Sequence, residues 1–275
     1  MALMEANNDK LVDIWTDTLH IRLAETVEEV EAAQALRYRV FYNEMAAQAT
    51  GEMVELERDF DAFDAHCEHL LVFDNSLGDG PKAVVGTCRV MRREAAEQCG
   101  RFYTADEYDI ANLLNFPGEV LELGRSCIGA EFRNGATMQL LWRGIADYVL
   151  AHHVGLMFGC ASLPGIEPER LALQLSYLYH HHLAPPALRA WALPGRYVPM
   201  NRIPLEEISP RRALQMLPPL IKGYLRVGGY VGEGAVVDYD FGTTDVCVAV
   251  KTEWVTDRYY RHYTREDAGK DEGIA

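Results

Sequence analysis

Several features that would place this chain in a common functional class are scarce or missing. Positive charge is short: 26 Lys and Arg stand against 41 Asp and Glu, a formal net charge of −15. A broad positive surface of the kind that grips nucleic acid is therefore excluded. None of Cys67, Cys88, Cys99, Cys127, Cys160 and Cys247 forms a C-x-x-C pair, so free, mostly buried thiols of a reducing compartment are expected, not disulfides. The opening MALMEANNDKLVD lacks the basic-then-apolar layout of a signal peptide. Residues 148–166 and 171–188 contain no Asp, Glu, Lys or Arg, but histidines and the pairs Pro164-Gly165 and Pro185-Pro186 interrupt them. Neither reads as a membrane span, and a cytoplasmic protein is expected.

Catalytic and metal signatures are thin as well. No G-x-S-x-G elbow surrounds Ser126 or Ser162, and Cys127, in a strand-like run, reads as a structural thiol. Consecutive histidines such as His180-His181-His182 cannot all face one ion, and neither they nor His66 with His69 gain the Cys or carboxylate partners a tetrahedral site needs. No metal is expected. A Ser/Gly/Pro linker and internal repeats are both missing, which favours one elaborated domain over residues 19–255, with an N-terminal extension at 1–18 and a tail at 256–275.

What is present centres on residues 120–149, VLELGRSCIGAEFRNGATMQLLWRGIADYV. The first part is strand-like yet carries Glu122 and Arg125, and charges in an apolar strand are unfavourable unless paired or used. After Arg133-Asn134-Gly135-Ala136, the residues Met138, Leu141, Trp142, Ile145 and Val149 are spaced for one helix face. A strand leading into a helix N-terminus presents free N–H groups and a positive dipole end, suited to a phosphate or an oxyanion. Upstream, Thr26 and Glu29 mark a capping-box helix start, and Asp59, Asp61 and Asp64 are interleaved with Phe60 and Phe63. Alternation puts Arg89 on one face with Val85, Thr87 and Met91. The order strand, helix, three strands, helix, strand, helix, strand is α/β in class, an α+β mixed sheet with helices on both faces.

Arg37, Phe41, Asp59, Asp61, Asp64, Arg89, Glu122 and Arg125 are weak singly. Together they resemble the acyl-homoserine lactone synthases and, more closely, the bacterial ornithine N-acyltransferases, both with the Gcn5-related acetyltransferase fold. The resemblance rests on R-x-x-x-F at Arg37 and Phe41, the spaced aspartates, G-T-C-R ending at Arg89 and E-L-G-R ending at Arg125. LRYRVF at 36–41, HHHLAP at 180–185, PPLIKGYL at 218–225 and DYDFGTTDVCV at 238–248 extend it.

The resemblance implies transfer of a 3-hydroxyacyl group from acyl carrier protein to the α-amine of ornithine, the first step of ornithine lipid synthesis. Glutamine or another amino acid remains open as acceptor, as do lactone synthesis from S-adenosylmethionine and a non-catalytic carrier-protein-binding module. It also implies a family-specific elaboration over 185–240, no cofactor beyond carrier-borne phosphopantetheine, and peripheral contact at the inner face of the membrane through the lipid product. Glu122, Arg125 and Ser126 become the candidate catalytic residues, the last through backbone N–H groups around Arg125–Cys127. Arg37, Phe41, Asp59, Asp61, Asp64 and Arg89 become candidate acceptor-binding residues. The degenerate loop Arg133, Asn134, Gly135 and Ala136 would meet phosphopantetheine.

Residues 119–230 carry 8 acidic and 11 basic residues. An acidic carrier protein is therefore expected to dock near Arg133, Arg143, Arg211, Arg212, Lys222 and Arg226. Strict alternation would leave Glu122 and Arg125 on opposite faces. A bulge at residues 123–126, tolerated by Gly124, would turn both toward one cleft. An unbroken ladder is the alternative.

Overall fold

The computed structural model describes residues 11–45 and 47–253; the 256–275 tail lies outside them. The elements, in order, begin with β1 (Asp13–Thr16), β2 (Leu19–Leu23), α1 (Val27–Tyr38), a π-helical turn (Arg39–Glu44), α2 (Gly51–Leu56), β3 (Glu68–Asp74) and β4 (Val84–Arg92). They continue with α3 (Arg93–Cys99), β5 (Tyr108–Asp109), α4 (Ala111–Leu114), β6 (Glu119–Ile128), α5 (Gly135–Ala151), β7 (Val154–Pro164) and α6 (Ala172–His182). The last group is β8 (Trp191–Ala192), β9 (Tyr197–Val198), α7 (Pro210–Met216), α8 (Pro219–Arg226), β10 (Tyr230–Val231), β11 (Ala235–Asp238) and β12 (Thr243–Lys251).

One 10-stranded sheet runs β1-β2-β3-β4-β6-β7-β12-β11-β9, with β10 also on β12. Every pairing in it is antiparallel except β6 with β7. β1 belongs to this sheet, so the domain starts inside the stretch read as an extension. The 185–240 segment supplies β9, β10 and β11 to the far edge and the two helices α7 and α8. α5, α6, α7 and α8 cover one face through residues such as Leu141, Leu175, Ala213 and Ile221. α1 with Ala33 and Leu36, and the π-helical turn with Val40, cover the other, beside a cluster of Phe102, Leu113 and Phe158.

Local chemistry explains the elements. Thr26 caps α1 by accepting from the Glu29 N–H at 3.3 Å, while the Glu29 carboxylate takes the N–H of Glu25 and the Arg22 guanidinium. β4 is buried along nearly its whole length, so its sequence is a continuous run without clean alternation. Its pairing with β3 slips between Val72 and Phe73. The slip turns Val85 into the α5-side core, whereas Met91 packs on the opposite face. Val85 therefore does not share a face with the Arg89 side of the strand; the bulge changes the phase that alternation assumed.

β6 and β7 begin as parallel neighbours and then part. Their pairing runs from Glu119–Val154 to Glu122–Phe158 and goes no further. β6 keeps its bonds to β4 as far as Ile128, and β7 keeps its bonds to β12 as far as Pro164. Residues 123–128 and 159–164 thus form the two arms of a V. Gly159 sits at the fork, where an added Cβ would lie 2.2 Å from the Leu123 carbonyl oxygen. Because that contact is with backbone, Gly159→Ala should destabilise the protein by about 1–3 kcal/mol, read as a lower urea midpoint at unchanged slope. An unchanged midpoint would mean the arms yield freely.

Candidate active site

The V holds a cavity of about 350 Å³. Its walls come from both sheet faces, which is possible only because the sheet is split there. Residues 122–128 of β6 and Cys160 and Ser162 of β7 form the arms. Phe41 from the π-helical turn and Met45 just after it close one side, and Leu141, Trp142, Pro219 and Tyr224 from α5 and α8 close the other.

The expected bulge is there. Thr87 pairs with Cys127 but Arg89 pairs with Gly124, so Arg125 and Ser126 face Cys88 alone. Arg125 has φ of 49°, the left-handed region, which carries a strain of order 1–3 kcal/mol for a non-glycine residue. The reversal of phase brings Glu122 and Arg125 onto one cavity. Arg125 itself, not Gly124, takes the unusual backbone angle. Ser126 also lines the cavity, and its hydroxyl donates to the Cys88 sulfur at 3.1 Å. Burial pushes the Cys127 thiol up to about 12, which keeps it protonated and unreactive.

Arg125 is held on every side. Its guanidinium lies 4.7 Å from the Phe241 ring centre and 4.9 Å from that of Tyr103, while Nη2 and Nε reach Asp61 and Asp59 at 3.2 and 3.3 Å. Arg89 pairs with Asp61 at 2.6 Å and Asp64 at 3.1 Å. Behind them Arg37, fully buried, spans Asp59 and Asp64, both at 2.7 Å. Although burial pushes the Asp64 carboxyl up, Arg37 and Arg89 hold it well below the usual carboxylate range. The three aspartates thus belong to a largely buried lattice of charges.

Phe41, Arg89, Glu122, Arg125 and Ser126 line the cavity, whereas Arg37, Asp59, Asp61 and Asp64 stand behind its wall. These four brace Arg89 and Arg125, and the guanidinium groups are committed to aspartates. Glu122 clasps the next turn: its two oxygens accept from the N–H groups of Tyr103 at 2.9 Å and Thr104 at 2.7 Å. Burial raises its pKa. At the α5 end, Arg133 lines the cavity, donates from Nε to the Ile128 carbonyl at 2.8 Å and pairs with Glu44. Asn134 is the helix cap, accepting from the Thr137 N–H at 3.0 Å. Asn134, Gly135 and Ala136 are not on the cavity wall.

The structure adds a group that sequence spacing does not connect. Glu107, Asp238 and Asp245 are buried and offer carboxylate oxygens within 4.8 Å of one another; Asp238 and Asp245 line the cavity. Arg196 reaches Glu107 only at 3.9 Å, and Cys160 donates to Glu107 at 3.4 Å. Burial, then mutual repulsion, pushes Glu107 up to about 8, and burial pushes Asp245 up to about 6. Among the described residues this is the one set of His, Cys, Asp and Glu with the geometry to hold a hard cation; the histidine run is not part of it. Asp238 and Asp245 lie within DYDFGTTDV, but nothing in the sequence ties Glu107 to them.

The raised carboxyls carry a pH dependence. The folded protein keeps the Glu107 proton to higher pH than the unfolded chain, so this stabilisation is complete below about 4.5 and is lost as pH rises through about 8. The melting temperature should fall across that window, and less so in Glu107→Gln. Parallel curves for the two proteins would show that Glu107 titrates normally.

Comparisons agree with this architecture. Residues 36–143 match the acetyltransferase (GNAT) domain family. An L-ornithine N(alpha)-acyltransferase of Agrobacterium fabrum (strain C58 / ATCC 33970) is 47% identical over 252 residues, 90% of this chain and 86% of the relative. One of the same name from Brucella abortus (strain 2308) is 45% identical over 269 residues, 96% of this chain and 95% of the relative. The chain belongs to the L-ornithine N(alpha)-acyltransferase family. An N-acyl amino acid synthase from uncultured soil microbes is similar in structure at 11% identity and TM-score 0.45, covering 87% of this chain and 94% of that one.

Within this acyltransferase family framework the six described cysteines are all free, and no helix among the described residues is long and apolar enough to cross a membrane.

Proposed function

We propose that the protein transfers a 3-hydroxyacyl group from acyl carrier protein to the α-amine of ornithine, giving the single-chain precursor of ornithine lipid. The observation that carries this reading is the split between β6 and β7, which opens a cavity with a charged side and an apolar side. A thioester donor and a cationic acceptor need such a pair of walls.

Little covalent machinery is required. The α-amine, whose free pKa lies near 7.7–8.0, loses a proton, attacks the thioester carbonyl and forms the C–N bond. The C–S bond then breaks and the phosphopantetheine thiolate leaves, taking up a proton. Glu122, made more basic by burial, is the acceptor for the amine proton. Backbone N–H groups at the Arg125–Ser126 bulge face the developing oxyanion. Arg89 and Arg125, braced by Asp59, Asp61 and Asp64, fix the polar wall. Ornithine carries a second ammonium on its side chain, and Asp238 and Asp245 on the cavity wall, with Glu107 behind them, are the carboxyl groups placed to receive it. This favours ornithine over glutamine as acceptor. Phosphopantetheine arrives past Arg133 at the start of α5.

Incubation with 3-hydroxyacyl carrier protein and single amino acids, read by mass spectrometry, tests the reading: N-acylornithine is expected, and binding without product would assign the chain to a non-catalytic role. Carrier protein is acidic, and Arg143, Arg211, Arg212 and Arg226 are exposed around α5, α7 and α8. Raising salt should therefore lower kcat/KM for the carrier-borne donor, mainly through association. A salt-independent value would remove the charged docking surface.

A further inference from the structure

We propose that the apolar arm of the cavity between α5 and α8 seats the acyl chain of the donor, and that Trp142 is the wall that sets how long a chain is accepted. This rests on the acyltransferase reading above. α5 is apolar over a wider arc than contact with the sheet requires. Leu140 and Tyr148 pack into the sheet-side core, and at Gly144 an added Cβ would lie 2.3 Å from Ile21 Cδ1, so the helix sits directly on β2. Leu141, Trp142 and Ile145 line the cavity. Across from them stand Pro218, Leu220 and Tyr224, from the segment that forms α8.

The two helices come together at Trp142. Its ring meets Tyr224 edge to face, with centres 5.1 Å apart and planes at 86°. Gly223 lies against the other part of the indole: an added Cβ there would be 3.0 Å from Trp142 Cζ2. The ring is thus fixed by α8 while it faces the cavity. Among the described residues, no ionised group lines this side short of Arg133 at the mouth. Such a wall recognises methylene groups and rejects charge.

A hydrophobic pocket discriminates one methylene by about tenfold or more, so removing the Trp142 wall should change the length profile, not merely the rate. The test uses the full chain, ornithine, and a competing mixture of 3-hydroxyacyl carrier proteins of graded length, with product lengths read by mass spectrometry. Trp142→Ala should shift the optimum to longer chains and raise the ratio of longer to original product at least tenfold, with Trp142→Phe in between. Gly223→Ala, which presses the indole toward the arm, should shift the profile to shorter chains and keeps the test open if Trp142→Ala does not fold. An unchanged length profile in the active variants overturns the proposal while leaving acyl transfer standing. A wild-type protein that acylates ornithine with no chain of any length overturns the acyltransferase reading as well.

Discussion

Arg37→Met should be the most destabilising single replacement in the protein, lowering its stability by about 3–5 kcal/mol. Arg37 is wholly buried, and its guanidinium is in ion-pair contact with two aspartates. Nε and Nη2 pair with Asp59 and Asp64, Nη1 adds a 3.0 Å bond to Asp64, and Nη2 donates to the Asp59 carbonyl at 2.6 Å. Methionine fills similar space but removes the closest cation from two buried carboxylates, leaving Asp59 only Arg125 at 3.3 Å and Asp64 only Arg89 at 3.1 Å. Lysine should not rescue, because a point charge cannot span two aspartates. Arg101→Met is the matched control: its pair with Asp106 is exposed, and such pairs contribute about 0–1 kcal/mol. Urea unfolding of the three variants separates the cases. Equal small losses at Arg37 and Arg101 would show that the buried lattice adds nothing to the fold.

The second large effect is on the acceptor. Asp245→Asn should raise KM for ornithine about thirtyfold or more, since truncating one partner of a buried charge pair weakens binding by about 2 kcal/mol or more. Selectivity for ornithine over 2-aminopentanoic acid, which lacks the second amine, should shrink in parallel. A cation entering beside Glu107 and Asp245 also lowers their raised pKa values, so ornithine binding near pH 7 should release protons. Calorimetry in buffers of different ionisation enthalpy detects that release, and Asp245→Asn or Glu107→Gln should diminish it. Unchanged KM and selectivity in Asp245→Asn would remove these carboxylates from acceptor recognition. Activity lost to a chelator and restored by a divalent cation would assign them to a metal instead.

Local chemistry legible in the sequence went furthest where it was overdetermined. Glu122 and Arg125 sit three residues apart in an apolar strand beside Gly124, and a phase shift is the only way to bring both to one cleft; the bulge follows. Arg89, Arg125 and the three aspartates were recognisable as charges that either bind substrate or pair with one another, but the sequence does not say which arginine meets which aspartate. Pairing across β3, β4 and β6 depends on register, and the slip at Val72 that moves Val85 to the other face leaves no local mark. β1 escaped because DIWT is short and mostly exposed. The carboxylate group escaped because Glu107 lies ahead of β5, outside the sheet that carries Asp238 and Asp245.

The fork in the sheet has a kinetic consequence inside the core. Residues 123–128 remain bonded to β4 on one side but have lost their β7 neighbours on the other. Amides that point into the V therefore stand in the middle of a 10-stranded sheet with the solvent contact of an edge. Their hydrogens should exchange early, well before those of the continuous β7–β12 ladder, and should slow when an acyl donor fills the gap. The most central strand of the molecule would then also report, amide by amide, whether its site is occupied.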